Sequence, residues 1–229
     1  GSDMGQGRRD LRRSWIIEAV EKSLKRLQTD HIDLYLSHWP DPETPYAETL
    51  EAHASLVKAG KVRAFGASNL DAGQLQASFE AADTAGLPRY GALQPEYNLY
   101  DRAGFEGALA DLCQREEIGV ITYYSLASGF LTGKYRTKAD TEGRARGEDV
   151  AHYLDDKGLR ILAVLDEVAA QTGAKPAEIA LAWLMAKPAV TAPIASATSL
   201  AQLASLTKAA SLSLSAEQVS ALDTAGAAS

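Results

Sequence analysis

Residues 31–42, HIDLYLSHWPDP, decide how the rest of the chain is read. Ile32, Leu34, Tyr35 and Leu36 form a short apolar run with Asp33 as its one charge, the length of a strand rather than a helix. The run stops on His38 and Trp39, and Pro40 and Pro42 prevent its continuation. A histidine closing a buried strand can be bonded to a backbone carbonyl and serve packing. It can also stand at the mouth of a site and serve chemistry.

The flanking segments favour an alternating α/β order. Upstream, SWIIEAVEKSLKRL (14–27) sets Trp15, Ile16, Val20, Leu24 and Leu27 near helical spacing, with Ser14 as the expected N-cap. Downstream, PYAETLEAHASLVKAG (45–60) has Leu50, His53, Ala54 and Val57 at helical spacing and Gly60 as the stop. Strand-like runs follow at KVRAFGASN (61–69), YGALQPEYN (90–98), IGVITYYSLA (118–127) and AVTAPIASA (189–197). Between them lie helical patterns at 71–86, 104–117, 157–173 and 175–187, and two more, 199–210 and 215–226, close the chain. Residues 135–150 read as a polar loop.

Strands separated by helices imply parallel strands buried on both faces. Polar residues gather at the carboxyl ends of these strands: His38, Ser68 with Asn69, Gln94 with Glu96 and Asn98, Tyr123 with Tyr124 and Ser125, and Ser196 with Thr198. In parallel α/β folds that end carries the site. No G-x-G-x-x-G follows any strand, which removes the usual dinucleotide fingerprint of an open sheet.

Composition narrows the function classes. The chain has 229 residues, 46% hydrophobic and 23% charged, enough for one domain spanning residues 1–229. Its net charge of −7 is dispersed and offers no basic face, so nucleic acid is not an expected partner. Cys113, the single cysteine, lies in a helical pattern and is expected to be a buried structural thiol in a reducing compartment. No apolar run approaches the roughly 18 residues of a membrane span. The N-terminus GSDMGQGRRDLRRS lacks a secretory pattern, and the expectation is a cytoplasmic protein with no membrane contact. Nothing in the sequence sets the oligomeric state.

Five stretches, LQTDHIDLYLSHWPDP, LVKAGKVRAFGASN, LQPEYNLYDR, YYSLASGFLTGKYR and PIASATSLAQL, resemble in order and spacing the aldo-keto reductase superfamily, close to its bacterial NADP-linked branch. The resemblance implies a (β/α)₈ TIM barrel in which this chain supplies the fourth to eighth strands. It begins at the loop after the third strand, so the expected domain is N-terminally incomplete. The implied activity is reduction of a small-molecule aldehyde or ketone by hydride from NADP, with NAD open as the alternative. A related possibility is a cofactor-binding regulatory module of the same fold with little turnover.

The family's catalytic tyrosine, lysine and aspartate belong to the first three strands, and only its histidine can be carried over, onto His38. Trp39 would wall the substrate pocket. Ser68, Asn69 and Gln94 match the positions holding the nicotinamide carboxamide, whose donor and acceptor suit an amide partner. Tyr123 matches the ring-stacking position, with Tyr124 the rival if the register slips by one. Leu126, Ser128, Leu131 and Lys134 match the pyrophosphate loop, and Ser196, Thr198 and Gln202 the adenosine end. There the family's Gly-x-Arg is replaced by Ser196-Ala197-Thr198, and its usual Asn by Leu206.

The remaining histidines, His31, His53 and His152, lack a second ligand at metal spacing, so no metal is expected. Asp41 and Glu43 read as loop solvation.

Overall fold

The structure is a computed structural model that describes residues 9–143 and 147–227. Most of the N-terminal loop reading, residues 1–8, and the centre of the polar loop, residues 144–146, lie outside the described residues. The chain divides into two compact units, one of residues 1–95 with 107–120, the other of residues 96–106 with 121–229.

The first unit contains α1 (Arg13–Leu27), β1 (Ile32–Ser37), α2 (Tyr46–Lys58), β2 (Val62–Ser68), α3 (Ala72–Ala85), β3 (Ala92–Gln94) and α4 (Ala108–Arg115), and it holds the start of β4 (Gly119–Thr122). β1 pairs parallel to β2, β2 to β3, and β3 to β4. Neighbours in chain order are neighbours in the sheet, as successive βα units require. Gly66 is needed at its position, since a Cβ there would lie 2.3 Å from the Ala92 carbonyl oxygen and 2.9 Å from a Leu36 methyl.

Expectation and structure part at several places in this unit. Helix α1 starts at Arg13, and Ser14 lies inside it. The first helical amide is met from a distance instead, Glu48 Oε1 accepting from Arg13 N–H at 3.0 Å, while Asp41 Oδ2 accepts from Leu11 N–H at 2.9 Å just before the helix. Asp41 also accepts from Glu43 N–H and the Thr44 hydroxyl, so it ties a loop together rather than merely facing water. On α2 the buried stripe is Thr49, Leu50, Ala52, His53 and Leu56, while Val57 is exposed. Helix α4 begins four residues later than its pattern because Gly107, at φ 82°, lies outside helical dihedrals. β3 is three residues long because Pro95 has no N–H for the ladder. β1 is largely half-buried, since it pairs on one side only among the described residues.

The second unit carries the end of β4, a 3₁₀ stretch at Ala127–Thr132, α5 (Gly147–Ala151), α6 (Asp156–Thr172), α7 (Pro176–Met185), β5 (Ala192–Pro193), α8 (Leu200–Ala209) and α9 (Ala216–Gly226). β4 pairs parallel to β5 through Ile121↔Ala192 and Thr122↔Pro193. The expected nine-residue strand shrinks to two, because Val190 is held in a turn to Lys187 and Pro193 lacks a donor. Helix α6 packs on α7 and α9, and α7 on α8. Around them Trp183, Leu165, Ile161, Phe130, Leu99 and Leu222 are fully buried. Within the expected polar loop a 3₁₀ turn at Lys138–Thr141 is held by a Thr137–Asp140 capping box.

Candidate functional site

In the first unit the carboxyl ends of β1, β2 and β3 bring four expected residues into one hydrogen-bonded chain. Asn69 sits just past β2 in the left-handed region at φ 59°, which turns its amide toward β1. Its Nδ2 donates to the His38 carbonyl oxygen at 2.8 Å and to Ser68 Oγ at 3.2 Å. Ser68, buried, donates its hydroxyl to the Gln94 carbonyl at 2.6 Å, the residue it faces in the β2–β3 register. The His38 backbone is thereby tied to Gln94 through two side chains. The Gln94 amide is half-buried and makes no hydrogen bond among the described residues. The His38 ring is exposed and stacks on the half-buried Trp39 ring at 5.8 Å and 28°.

The second unit holds the other expected residues. Tyr123 follows β4 and bridges to Glu96, with its ring half-buried and 5.2 Å from that of Tyr124. Burial, reinforced by the Glu96 carboxylate, pushes the Tyr123 hydroxyl up to about 12. Glu96 is itself raised by burial and by Asp101. Tyr124 is 56% exposed and has φ 50°.

The segment after Tyr124 is a run of unusual dihedrals. Ala127, Ser128, Gly129 and Gly133 all have positive φ, which winds the chain tightly around Leu126. The Leu126 carbonyl accepts from both Gly129 N–H at 2.9 Å and Leu131 N–H at 3.3 Å. Leu131 is fully buried, whereas Leu126 and Ser128 are half-buried. Exposed Lys134 folds back over this loop, its ammonium 3.7 Å from where a Gly129 Cβ would lie and 4.8 Å from the Tyr135 ring.

Ser196, Thr198 and Gln202, expected to meet the adenosine end of a cofactor, are all exposed. Gln202 Oε1 accepts from Thr198 N–H at 2.7 Å and from the Thr198 hydroxyl at 3.0 Å, while Ser199 Oγ caps α8 by accepting from Gln202 N–H. Thr198 and Gln202 are thus one contact.

Two polar strand-end residues prove structural. Asn98, fully buried, accepts from Tyr100 and Asp101 N–H and donates to the Tyr124 carbonyl. Ser125, also buried, donates to the Thr122 carbonyl. Cys113 is buried, and burial pushes its thiol up to about 11.

His53, expected on the apolar stripe of α2 but given no role, is fully buried. Its Nε2 lies 3.0 Å from Ser37 Oγ, and its ring stacks on Phe65 at 4.9 Å and 6°. The signal was present in its spacing from Leu50 and Leu56 on one helix face. No cluster of metal-ligating side chains occurs among the described residues. No helix among them is long and apolar enough to cross a membrane.

Comparison with known proteins places the chain in a family. The aldo/keto reductase family model matches residues 3–227. The chain is 34% identical over 212 residues to the protein tas of Escherichia coli K12, covering 84% of this chain. It is 34% identical over 204 residues to a probable voltage-gated potassium channel subunit beta of Arabidopsis thaliana, covering 87%. It spans 61% and 62% of those two relatives' own length. A crystal structure of the thermostable aldo-keto reductase Tm1743 with the inhibitor epalrestat superposes with a TM-score of 0.75 at 34% identity, over 94% of this chain and 68% of that one. The parallel α/β order of β1–β5 is therefore that of the family's (β/α)₈ fold, and the chain belongs to the aldo/keto reductase family.

Proposed function

We propose that this chain belongs to an NAD(P)H-dependent reductase of small aldehydes or ketones, with NADP the expected cofactor. The observation that carries the proposal is the contact chain His38–Asn69–Ser68–Gln94, which gathers the ends of three adjacent strands around one exposed imidazole. The Gln94 amide beside it has a donor and an acceptor unused within the described residues, a donor set that fits a carboxamide.

A nicotinamide held there would supply hydride. His38 donates a hydrogen bond to the carbonyl oxygen, where negative charge develops, and so orients the substrate. Asn69 fixes the backbone from which that ring projects. Tyr123 offers a half-buried aromatic face. Lys134 and the tight loop at Ser128–Gly129 are the residues to hold the pyrophosphate, and Ser196, Thr198 and Gln202 the adenosine end.

Of the family's four catalytic residues, His38 is the one matched here. Removing a positioned proton donor lowers a rate by about 10² to 10⁴. The 229-residue polypeptide is accordingly expected to bind NADPH, seen as quenching of its fluorescence, and to oxidise it very slowly with an aromatic aldehyde. Turnover at ordinary reductase rates by the mass-verified chain would overturn the reading that His38 is the chain's one match to the family's catalytic residues. A second reading, a cofactor-binding regulatory module, is favoured by the similarity to a potassium-channel β subunit. It expects tight NADPH binding and no reduction of any carbonyl even in the longest form of the protein.

A further inference from the structure

We propose that Arg9 makes the substrate pocket selective for carbonyl compounds that also carry a carboxylate or phosphate group. This deepens the reductase reading above and rests on it for the position of the carbonyl. The Arg9 guanidinium carbon lies 4.8 Å from the centre of the Trp39 ring. That ring stacks in turn on His38, so guanidinium, indole and imidazole form a series at the carboxyl end of β1. A guanidinium resting on an aromatic face keeps its N–H edge turned outward, where a planar anion can be bound through two hydrogen bonds.

The surrounding carboxylates do not claim this cation. Asp10 is held by the Arg12 side chain and backbone N–H. Asp41 accepts from Leu11 N–H, Glu43 N–H and the Thr44 hydroxyl, and Glu48 accepts from Arg13 N–H. Arg9 is exposed, and no carboxylate among the described residues lies within ion-pair distance of it. One indole separates the group that would meet the carbonyl oxygen from the group that would meet an anion. A short aldehyde with its acid at the far end therefore fits better than a neutral one.

The test is calorimetric titration of the 229-residue chain saturated with NADP⁺, which cannot donate hydride. The probes are 4-carboxybenzaldehyde against its methyl ester, and glycolaldehyde phosphate against glycolaldehyde. At least one anionic probe is expected to bind about tenfold more tightly than its neutral counterpart. Arg9→Gln is expected to erase that ratio, and Arg9→Lys to retain part of it. The pair showing the larger ratio tells carboxylate from phosphate. Equal affinities in both pairs, or a ratio unchanged in Arg9→Gln, would overturn the proposal. NADP⁺ titration of the same samples separates the two readings. Cofactor binding without anion preference sinks the Arg9 assignment alone, while an Arg9-dependent preference without cofactor binding upholds the anion site and sinks the reductase reading.

Discussion

The side-chain amide of Asn69 donates to the backbone carbonyl of His38 at 2.8 Å, so the histidine at the end of β1 is held by a residue at the end of β2. Two features of Asn69 are separable. Its amide makes the bond, and its backbone sits at φ 59°, where non-glycine residues other than Asn and Asp are disfavoured.

Asn69→Gly keeps the backbone and loses the bond, while Asn69→Ala loses both. The first is expected to cost about 1 kcal/mol and the second about 2–3 kcal/mol. Urea unfolding midpoints read the difference. Equal losses would mean that the left-handed backbone carries no penalty here. Both variants are also expected to weaken NADPH binding, because His38 and Gln94 lose their common tether.

Tyr123 and Tyr124 offer a second discrimination. Tyr123 is half-buried with a raised hydroxyl, and Tyr124 is 56% exposed. Tyr123→Leu is expected to lower NADPH affinity about tenfold through loss of the stacking face, and Tyr124→Leu to change it less than twofold. The reverse order would move the stacking role to Tyr124.

Legibility in the sequence depended on whether a feature was local. The strand order was readable because each βα unit is contiguous, and β1 and β2 emerged close to their expected bounds. Ser14 misleads because the first amide of α1, on Arg13, is met by Glu48 from another helix, which no local pattern discloses. β5 shrank because the turn at Lys187–Val190 and Pro193 outweigh an apolar run. On α2 alanines flank the buried stripe on both sides, so spacing alone points to Val57, which is exposed, where Leu56 is the buried residue. At the site, Ser68, Asn69 and Gln94 were visible as strand-end polar residues. Asn98 and Ser125 looked the same in sequence but proved to bond their own turns, a distinction only the fold makes.

Gly66 tests the sheet itself. A Cβ would meet the Ala92 carbonyl oxygen at 2.3 Å, and a neighbouring strand's backbone cannot yield as a flexible side chain can. Gly66→Ala is expected to destabilise the protein by about 2–3 kcal/mol or more, as overpacking does in well-packed interiors. Thermal unfolding checks it, with Gly86→Ala as a control. Gly86 has no neighbour within 4 Å, so its cost comes only from φ 62°. A smaller loss at Gly66 than at Gly86 would show that β2 and β3 can separate without penalty.

His53 should give the protein an acid-sensitive core. Burial lowers its pKa from 6.5 to about 3, since the charged ring would lie against Phe65 and Tyr90 with one nitrogen, Nδ1, unpartnered. In the unfolded chain the ring protonates near 6.5, whereas in the folded protein it stays neutral until about pH 3. The unfolded state therefore binds the extra proton across that window, and stability present above pH 6.5 is lost as pH falls toward 3 at about 1.4 kcal/mol per unit. Carboxylates held by hydrogen bonds, such as Asp41 and Glu178, lose their own stabilisation near or below the ordinary carboxylate range, and the raised Glu96 acts with the opposite sign, so the difference between the protein and a His53 variant, rather than the pH window alone, isolates the histidine. His53→Phe would leave the Ser37 hydroxyl without this partner and is expected to lower stability at pH 7.5 by about 1–2 kcal/mol. The variant should also flatten the slope between pH 5 and 6.5. Urea midpoints measured across that range decide the matter, and an unchanged slope in His53→Phe would show that another group supplies the acid sensitivity.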